Sequence, residues 1–531
     1  MRRFQLPGRS TVHATEGMAA TSQPLSTLAA INVLQAGGNA MDAAVAACAV
    51  QCVVEPGSTG VGGDCFVLYA PRGGDRVIAY NGSGRAPAAA TAEWYAERGI
   101  RELPLHSPHA VTVPGAVEAW WRLLQDHGTR SLDELLRPAI HHARHGYPLA
   151  PRTRADWQDK AAHLALDPAA REIFLVDGHA PPVGEVHRQP LLADTLTAIG
   201  RHGPDAFYRG AVAEDMVQRL QALGGLHTMK DFVNAAGEYV EPITTDYRGH
   251  RIVECPPNGQ GVIALLMLNI LSGFPAGDVP ALSAARLHRH IEAGRLAYQV
   301  RNALVADPSQ AKVPVDWILS EAHAAGLRQR IDPRRRLPAL PAVHAPAGDD
   351  TVYITVVDRD RNAVSFINSL FKPFGSGIVA PRSGVLLHNR GISFSLEPGH
   401  PNAIAPGKRP LHSIIPGMVL RDNRVHMPFG VMGGHYQAAG HAWFLTSLLD
   451  HGLDLQEAMD LPRAFQEPGS EQVQVETPVP AAIGEELVRL GHDVIQPTEA
   501  IGGAQAITID WRNGTLTGAS DHRKDGCALG Y

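Results

Sequence analysis

The fold of this chain is restricted most by an abrupt change of sequence pattern near residue 351. The segment 331–350, IDPRRRLPALPAVHAPAGDD, is rich in proline and arginine, and proline at this density stops a helix and leaves the backbone extended. Directly afterwards, TVYITVV and AVSFINS, separated by the turn DRDRN, have the β-branched and apolar composition of strands. The sequence therefore predicts an accessible connecting segment and then a hairpin that begins at Thr351.

Helical patterns dominate the sequence before this change. Leu25 to Val54 is rich in alanine and is broken at Gly37-Gly38-Asn39, which predicts two helices joined by a tight turn. Between about residues 117 and 327, segments such as SLDELLRPAIHHARHG predict a mostly helical region. The glycine-rich GSTGVGGD at 57–64 precedes a strand-like run but lacks the ending of a nucleotide-binding loop, so close backbone packing is the favoured interpretation.

Composition restricts the class of partner. The 531 residues are 44% hydrophobic with a formal net charge of -6, which supports a large core and gives no general electrostatic reason to bind nucleic acid or a membrane. No stretch approaches the roughly 20 apolar residues of a membrane helix, and no apolar run follows the two N-terminal arginines. Five cysteines without paired spacing fit a reducing compartment. We therefore expect a cytoplasmic protein with neither a nucleic acid nor a membrane partner.

Two features could carry chemistry. If the chain is cut between Asp350 and Thr351, the threonine gains an α-amino group whose reference pKa of about 7.7 to 8.0 suits a base at neutral pH. One residue then holds both a hydroxyl nucleophile and its base. In GVMGGHYQ, Gly433 and Gly434 lie between a strand-like run and a helix predicted over about 435–449. Their N–H groups suit an acyl-transfer oxyanion, and an ordinary tight turn is the alternative.

These motifs, taken in order along the chain, resemble the gamma-glutamyltranspeptidase family of N-terminal nucleophile hydrolases nearly from end to end. The matching runs are QAGGNAMDAAVA, GSTGVGGD, AVTVPGAV, DTVYITVVDRDRNAV, FGSGIV, PGKRPLHSIIPGMV, GVMGGHYQ and ASDHRKDGCALGY. The resemblance implies an α+β fold, a four-layer αββα sandwich, made as one precursor that cleaves itself between Asp350 and Thr351. Residues 1–350, ending in the linker 331–350, would form a large subunit, and residues 351–531 a small subunit.

The resemblance also implies roles for individual residues. Thr351 matches the nucleophile, Gly433 and Gly434 match the oxyanion donors, and Ser369 replaces a threonine that hydrogen-bonds the nucleophile. On the substrate side this chain departs from relatives that act on glutathione. Ser83 stands at the position of their carboxylate-binding arginine, with Arg85 two residues beyond. At the other aligned substrate positions, Ser393 replaces an aspartate that binds the α-amino group, and Phe371 replaces an asparagine. His412 replaces the first serine of a serine pair, of which Ser413 is the second.

These departures bear on the substrate. An ammonium that loses its water needs a charged acceptor, and replacing the aspartate by Ser393 removes it. An anionic acyl group could still be bound by Arg85, Lys408, Arg409 or His412. Arg85 and Arg409 could equally have a structural role, bound to backbone carbonyls or carboxylates of the protein. Histidine groups such as His141, His142 and His145, or His288 and His290, lack metal-ligand spacing, so we expect neither a metal nor another cofactor.

The sequence therefore predicts an autoprocessing, gamma-glutamyltransferase-like enzyme. Thr351 would cleave a small-molecule amide through an acyl-enzyme that passes to water or to an amine, as in glutathione hydrolysis or γ-glutamyl transfer. One alternative is an amidohydrolase or acylase for a glutaryl-type or oxamate-like acyl group, which the substituted positions favour chemically. A non-catalytic relative and a histidine-supported metal hydrolase are the others. The two subunits are each other's partners, and association of this heterodimer into a homo-oligomer is left open.

Overall fold

The computed structural model describes residue 5, residues 8–340 and residues 351–531. The strands are β1 (Val12–Ala14), β2 (Met18–Thr21), β3 (Asp64–Ala70), β4 (Ile78–Gly82), β5 (Tyr147–Pro148), β6 (Val186–His187), β7 (Glu238–Val240), β8 (Ile243–Tyr247), β9 (His250–Glu254), β10 (Val352–Val357), β11 (Ala363–Ser369), β12 (Val379–Ala380), β13 (Val385–Leu386), β14 (Gly417–Arg421), β15 (Arg424–Met432), β16 (Ala464–Gln466), β17 (Gln472–Val475), β18 (Asp493–Ile495), β19 (Gly503–Asp510), β20 (Thr515–Ser520) and β21 (Cys527–Gly530).

The helices are α1 (Pro24–Gln35), α2 (Ala40–Val54), α3 (Ala92–Glu97), α4 (Ala116–His127), α5 (Leu132–His145), α6 (Pro151–Asp159), α7 (Ala161–Leu164), α8 (Pro168–Phe174), α9 (Pro190–His202), α10 (Pro204–Tyr208), α11 (Ala211–Ala222), α12 (Met229–Val233), α13 (Gly261–Leu271), α14 (Ala284–Leu304), α15 (Val315–Ile318), α16 (Glu321–Arg328), α17 (Tyr436–Leu449), α18 (Leu455–Asp460) and α19 (Ala481–Arg489). Short 3₁₀ helices cover Pro71–Gly73, Pro108–Ala110 and Arg390–Ser393. Within the described ranges, no helix is both long and apolar enough to cross a bilayer.

Two antiparallel sheets of seven strands form the centre of the molecule. Sheet I has the order β1-β20-β19-β15-β14-β9-β8, and sheet II has the order β21-β2-β10-β11-β3-β4-β7. One buried cluster joins them, with Phe66, Tyr353 and Ile367 from sheet II and Met418 and Met432 from sheet I. The sheets therefore pack face to face, and the strands of each have one face in a shared apolar layer.

Helices cover the two outer faces. Val45 of α2 and Leu136 of α5 share a cluster with Ile354 of sheet II. Leu265 of α13 shares another cluster with Val431 of sheet I, and α14 and α17 contribute to the same cluster. The order of layers is helix, sheet, sheet, helix, which confirms the α+β sandwich.

The hairpin predicted from residue 351 is present. Strand β10 pairs with β11 and is buried along its whole length. Its side chains alternate between the two core layers, with Tyr353 and Val357 between the sheets and Ile354 and Val356 under the helices. Because both faces are covered, the strand is continuously apolar instead of alternating with polar residues.

The two helices predicted within residues 25–54 are confirmed as α1 and α2. Asn39 begins α2, since its side chain accepts the N–H of Asp42 while the Asp42 carboxylate accepts the N–H of Asn39. This reciprocal cap satisfies two backbone donors at the helix start and fixes the break that the glycine pair allows.

The prediction of a mostly helical region over 117–327 is wrong at residues 238–254, which form β7, β8 and β9. Strand β8 lies at the edge of sheet I and exposes alternate residues, so its sequence has no continuous apolar run. Arg248 and Gly249 have positive φ of 48° and 76° at the β8–β9 turn, a conformation that suits a two-residue hairpin. Pairing with β14 through β9, rather than local propensity, determines this segment.

Candidate active site

The candidate nucleophile lies at one end of sheet II, in a row of polar residues on neighbouring strands. The β10–β11 register pairs Val352 with Asn368, so its continuation places Thr351 opposite Ser369. The β11–β3 register pairs Ser369 with Asp64. All three polar residues are fully buried. Strand pairing therefore brings Thr351 beside Ser369 although 18 positions separate them in the chain. Asp350, on the other side of the predicted cleavage, lies outside the described residues.

Ser369 and Gln437 contact the Thr351 hydroxyl. Its Oγ1 lies 3.2 Å from Ser369 Oγ, and Gln437 Nε2 donates to it at 3.3 Å. Ser369 Oγ also accepts the N–H of Phe371 at 2.9 Å and an Nη2–H of Arg390 at 3.3 Å. A hydroxyl oxygen has two lone pairs and one proton, so these two N–H donors leave the Ser369 proton for Thr351. The nucleophilic oxygen is thus an acceptor from both neighbours, an arrangement that stabilises negative charge on it.

The Phe371 backbone is part of this arrangement. Its φ is 81°, in the left-handed region that bulky residues rarely adopt. Phe371 lies two residues after the end of β11, and its N–H donates to the Ser369 hydroxyl. Backbone strain of this kind costs on the order of 1–3 kcal/mol and persists where the surrounding contacts hold it.

Gly433 and Gly434 form the turn between β15 and α17. Both have positive φ, 115° and 53°, which favours glycine. Their carbonyl groups accept the N–H groups of Tyr436 at 2.9 Å and Gln437 at 3.3 Å. No hydrogen bond found within the described ranges uses the N–H of either glycine, so both donors are available to an incoming oxygen. The predicted helix over 435–449 is confirmed as α17, and its second residue, Gln437, contacts Thr351.

Side chains from the helical layer hold this turn. Gln260 Nε2 donates to the carbonyl of Gly434 at 3.1 Å and to that of Ser413 at 2.8 Å. Arg301 Nη1 in turn donates to Gln260 Oε1 and to His435 Nδ1, each at 2.8 Å. The turn at Gly433 and Gly434 is therefore connected to α14 through the buried side chains of Gln260 and Arg301, and these hydrogen bonds limit the movement of the turn.

Asp64 organises the wall beside Ser369. Its Oδ1 accepts the N–H groups of Gly84 at 2.9 Å and Gly115 at 3.2 Å, and its Oδ2 accepts His412 Nε2 at 3.0 Å. Burial raises the pKa of Asp64, but His388, His412 and Arg390 outweigh burial and lower it to about 2. Burial, followed by Arg390, lowers the pKa of His412 to about 3, so its ring is neutral at pH 7. The His412 ring is therefore used to position Asp64.

Two of the substrate-binding candidates lie against a residue that the sequence analysis did not name. Arg390 Nη1 donates to Ser413 Oγ at 2.9 Å, and the guanidinium carbon lies 4.0 Å from the centre of the Phe371 ring. Ser413 and Phe371 thus lie in one buried cluster with Ser369 and Arg390. Ser393, three residues after Arg390, is buried, and its hydroxyl has no hydrogen-bond partner in the described part of the chain.

The other candidates have structural partners. Ser83 Oγ accepts Asn258 Nδ2 at 3.1 Å. Arg85 Nη1 donates to the Gly407 carbonyl at 3.0 Å and lies 3.8 Å from an Asp307 oxygen. Arg409 Nε donates to the Ser83 carbonyl at 3.0 Å while Nη1 pairs with Glu238, and Lys408 Nζ donates to the Pro401 carbonyl at 2.6 Å. For these three cations the observed contacts match the structural interpretation.

The sequence analysis assigned no role to several residues of the site, among them Arg390, Gln260 and Gln437. Arg390 carries a recognisable signal, since a charged residue inside the buried run around LLHNRGISF needs a reason to be there. Gln437 follows the glycine pair by one helical turn and could have been placed near the oxyanion donors. Gln260 acts through tertiary contacts alone, and its position in the sequence gives no indication of them.

A cavity of about 280 Å³ borders Gly433. Its lining includes Tyr436, Phe465 and Lys524, together with the segment 495–502. The glycine turn thus borders a space of a size to take part of a small substrate.

One group of side chains in the described ranges has metal-ligand spacing, His288, Glu292 and His492. Glu292 already accepts Arg295 Nη1 at 2.9 Å and the N–H of Leu337 at 2.8 Å, and the two imidazoles hydrogen-bond each other at 2.8 Å. These contacts account for both carboxylate oxygens. The geometry favours a hydrogen-bonded helix anchor over a metal centre.

Comparison with known proteins extends these observations. The family model described as gamma-glutamyltranspeptidase matches residues 26–531. The glutathione hydrolase-like YwrD proenzyme of Bacillus subtilis is 36% identical over 98% of this chain and 99% of its own length. The oxamate amidohydrolase proenzyme of Klebsiella pneumoniae is 37% identical over 98% and 99%. The crystal structure of cephalosporin acylase from Bacillus halodurans superposes with a TM-score of 0.92 at 39% identity, covering 100% of this chain and 99% of that one.

Proposed function

The chain belongs to the gamma-glutamyltranspeptidase family, and from that premise we propose that it is an autoprocessed amidohydrolase with Thr351 as nucleophile, whose acyl substrate carries a carboxylate and no α-amino group. The observation that carries the proposal is the buried network of Thr351, Ser369, Gln437 and Arg390, whose members carry hydroxyl, amide and guanidinium groups and no carboxylate to pair with an ammonium.

Maturation uses the same groups as catalysis. The Thr351 hydroxyl attacks the carbonyl carbon of Asp350, the peptide C–N bond breaks, and the acyl group passes from nitrogen to oxygen. Water then hydrolyses this ester and releases residues 1–350 and 351–531 as two subunits. Donation from Ser369 and Gln437 stabilises the attacking oxygen, and the N–H groups of Gly433 and Gly434 suit the oxyanion.

Catalysis repeats the attack on a substrate. The Thr351 Oγ bonds to the amide carbon, and its proton passes to the new α-amino group of the same residue, since that base lies within reach. The amino group returns the proton to the leaving nitrogen as the C–N bond breaks, which leaves an acyl ester on Thr351. Water, activated by the same amine, cleaves the ester and restores the hydroxyl. The cavity that borders Gly433 is a candidate site for the leaving amine, because Gly433 is also a candidate oxyanion donor.

Selection against an α-amino group follows from the charges near Thr351. Asp64 is the carboxylate closest in this network, and its oxygens are taken by Gly84, Gly115 and His412. A desolvated ammonium without a carboxylate would cost several kcal/mol, and the nearby Arg390 adds repulsion. The oxamate amidohydrolase and cephalosporin acylase relatives support this assignment, since both printed names describe acyl groups other than γ-glutamyl. The five free cysteines support a cytoplasmic location.

Two measurements test the proposal. Intact mass of the purified protein should show fragments of 350 and 181 residues, with a single uncut chain for Thr351→Ala. Glutaryl and γ-glutamyl anilides differ only in the α-amino group, so their kcat/KM ratio isolates its effect. We expect the glutaryl compound to be cleaved at least about tenfold faster, which corresponds to about 1.4 kcal/mol. An uncut wild-type chain contradicts the nucleophile, and a γ-glutamyl preference contradicts the acyl assignment.

A further inference from the structure

Arg390 is a fully buried cation. Its Nη1 and Nη2 donate to the hydroxyls of Ser413 and Ser369, and one face of the guanidinium covers the Phe371 ring. In the described part of the chain no carboxylate lies within ion-pair distance of it, and its Nε has no acceptor. A guanidinium has five N–H donors, so three of them point into the protein without a partner.

Arg286 provides a comparison within the molecule. Arg286 is also buried and also covers an aromatic ring, with its guanidinium carbon 3.8 Å from the centre of the Trp443 ring. Its Nη groups, however, donate to four oxygens, which belong to Ala281, Trp443, Thr446 and Ser447. Buried donors are normally satisfied in this way. Arg390 therefore lacks acceptors that a structural arginine has, and an anion from outside would supply them.

Arg390 is also close to the nucleophile. Ser369 Oγ lies 3.2 Å from Thr351 Oγ1 and 3.3 Å from Arg390 Nη2, so the attacking oxygen and the guanidinium nitrogen are at most about 6.5 Å apart. An attacked carbonyl carbon lies about 3 to 3.5 Å from its nucleophile, and a charge-assisted N–H···O bond is about 2.8 Å long. Little space therefore remains for an acyl chain between the carbon attacked by Thr351 and the carboxylate bound by Arg390.

We propose that Arg390 binds the carboxylate of the acyl group and thereby restricts the substrate to monoamides of short dicarboxylic acids, with the carboxylate on the attacked carbonyl or one carbon from it. This inference rests on the proposed function, because it assigns the acyl pocket of the same nucleophile.

Bond lengths support the short acid. When the carboxylate is attached directly to the attacked carbonyl, its oxygens lie about 2.4 Å from that carbon. The path then runs about 3.3 Å from Thr351 Oγ1 to the carbonyl carbon, about 2.4 Å from that carbon to a carboxylate oxygen, and about 2.8 Å from that oxygen to Arg390 Nη2. A moderate bend fits this path between the two protein atoms. In an extended five-carbon acid the same oxygens lie about 6 Å from the amide carbon, so the chain would have to fold back to reach Arg390. A planar guanidinium also matches the two oxygens of a carboxylate, which a lysine does not.

The experiment uses the processed enzyme and the monoamides of oxalic, malonic, succinic and glutaric acid, with ammonia release as the readout. We expect kcat/KM to be highest for the oxalic or malonic compound and to fall by about tenfold or more toward the glutaric one. Arg390→Met should lower kcat/KM for the best acid by about 100-fold, and Arg390→Lys by about tenfold, as expected for a lost charge-assisted contact. Both variants should lose a smaller factor on the methyl ester of that monoamide, because the ester offers no negative charge for Arg390 to bind.

Arg286→Lys is the matched control, since it removes another buried guanidinium that covers an aromatic ring, and it should leave the preference among the acids unchanged. If Arg390→Met does not fold, competitive inhibition of wild type by oxalate, malonate and glutarate gives the same order without a variant. Equal losses by Arg390→Met on the acid and its ester, or a glutaric preference in wild type, overturn the inference while the threonine mechanism stands. A chain that neither cleaves itself nor releases ammonia overturns the proposed function instead.

Discussion

Ser369→Ala is the sharpest perturbation of the proposed mechanism, because one oxygen atom has three roles. Ser369 Oγ donates to Thr351 and accepts the N–H of Phe371 and an Nη2–H of Arg390. Alanine removes the donor to the attacking oxygen and leaves two buried N–H groups without an acceptor. The catalytic and the structural consequences of this single change can be measured separately.

The magnitudes follow from these contacts. A hydrogen bond to an oxygen that gains charge is worth about 1.5 to 3 kcal/mol, so kcat should fall by about 10- to 150-fold, and self-cleavage should slow by a similar factor. The two unpaired donors should lower the free energy of unfolding by at least about 2 kcal/mol, unless a water enters the space. Ser369→Thr keeps the hydroxyl and should retain kcat within about threefold.

The assay combines a time course of fragment formation by intact mass with single-turnover and steady-state kinetics on a chromogenic anilide. Chemical denaturation of each variant gives the free energy of unfolding. If Ser369→Ala matures and turns over within twofold of wild type, Ser369 does not support the nucleophile. If it loses stability but keeps kcat, the hydroxyl is only a packing and hydrogen-bonding element.

Three further changes test other parts of the site. Gln437→Met removes a donor to Thr351 and should lower kcat about tenfold in the same kinetic assay. Gln437→Glu also removes this donor, so an unchanged kcat in that variant would contradict the role of Gln437 as a donor to the nucleophile. Gly433→Ala adds a Cβ about 2.9 Å from Gly502 Cα at a φ of 115°, so self-cleavage and turnover should both fall more than tenfold, as read from intact mass and ammonia release. Burial lowers the pKa of His412 to about 3 from an unfolded value near 6.5. The unfolded chain therefore binds more protons between these values, and the free energy of unfolding should fall as pH falls from about 6.5, by up to about 1.4 kcal/mol per unit, with a shallower slope in His412→Gln.

Much of the fold is predictable from local patterns in this sequence. The capped helix break at Asn39 and the β-branched strand after Thr351 are both encoded by residues that are neighbours along the chain. Strand β8 is not, because an edge strand needs only one buried face and gains its partners from distant residues. The four-layer order came from the family resemblance rather than from periodicity.

The site divides in the same way. Thr351, Ser369 and the glycine pair carry motif signals, and the structure brings Thr351 and Ser369 into contact through strand register. Arg85 and Arg409 were equally visible as cations, yet their charges are directed at carbonyl and carboxylate groups of the protein itself. Which arginine lacks acceptors depends on how distant loops pack around it. The coordinates show this property for Arg390, whose Nε has no acceptor in the described ranges.

The position of Asp64 explains how a cation can be buried near the nucleophile without being neutralised by contact. Burial lowers the pKa of Arg390 to about 9, and the field of Asp64 opposes this shift, so the guanidinium remains charged at pH 7. Asp64 and Arg390 form no ion pair in the described part of the chain, and the Asp64 oxygens instead accept the N–H groups of Gly84 and Gly115 and the His412 ring. The carboxylate therefore compensates the charge from a distance while the guanidinium donors stay available. A direct salt bridge would stabilise the empty site equally well but would have to be broken before any acidic substrate could bind.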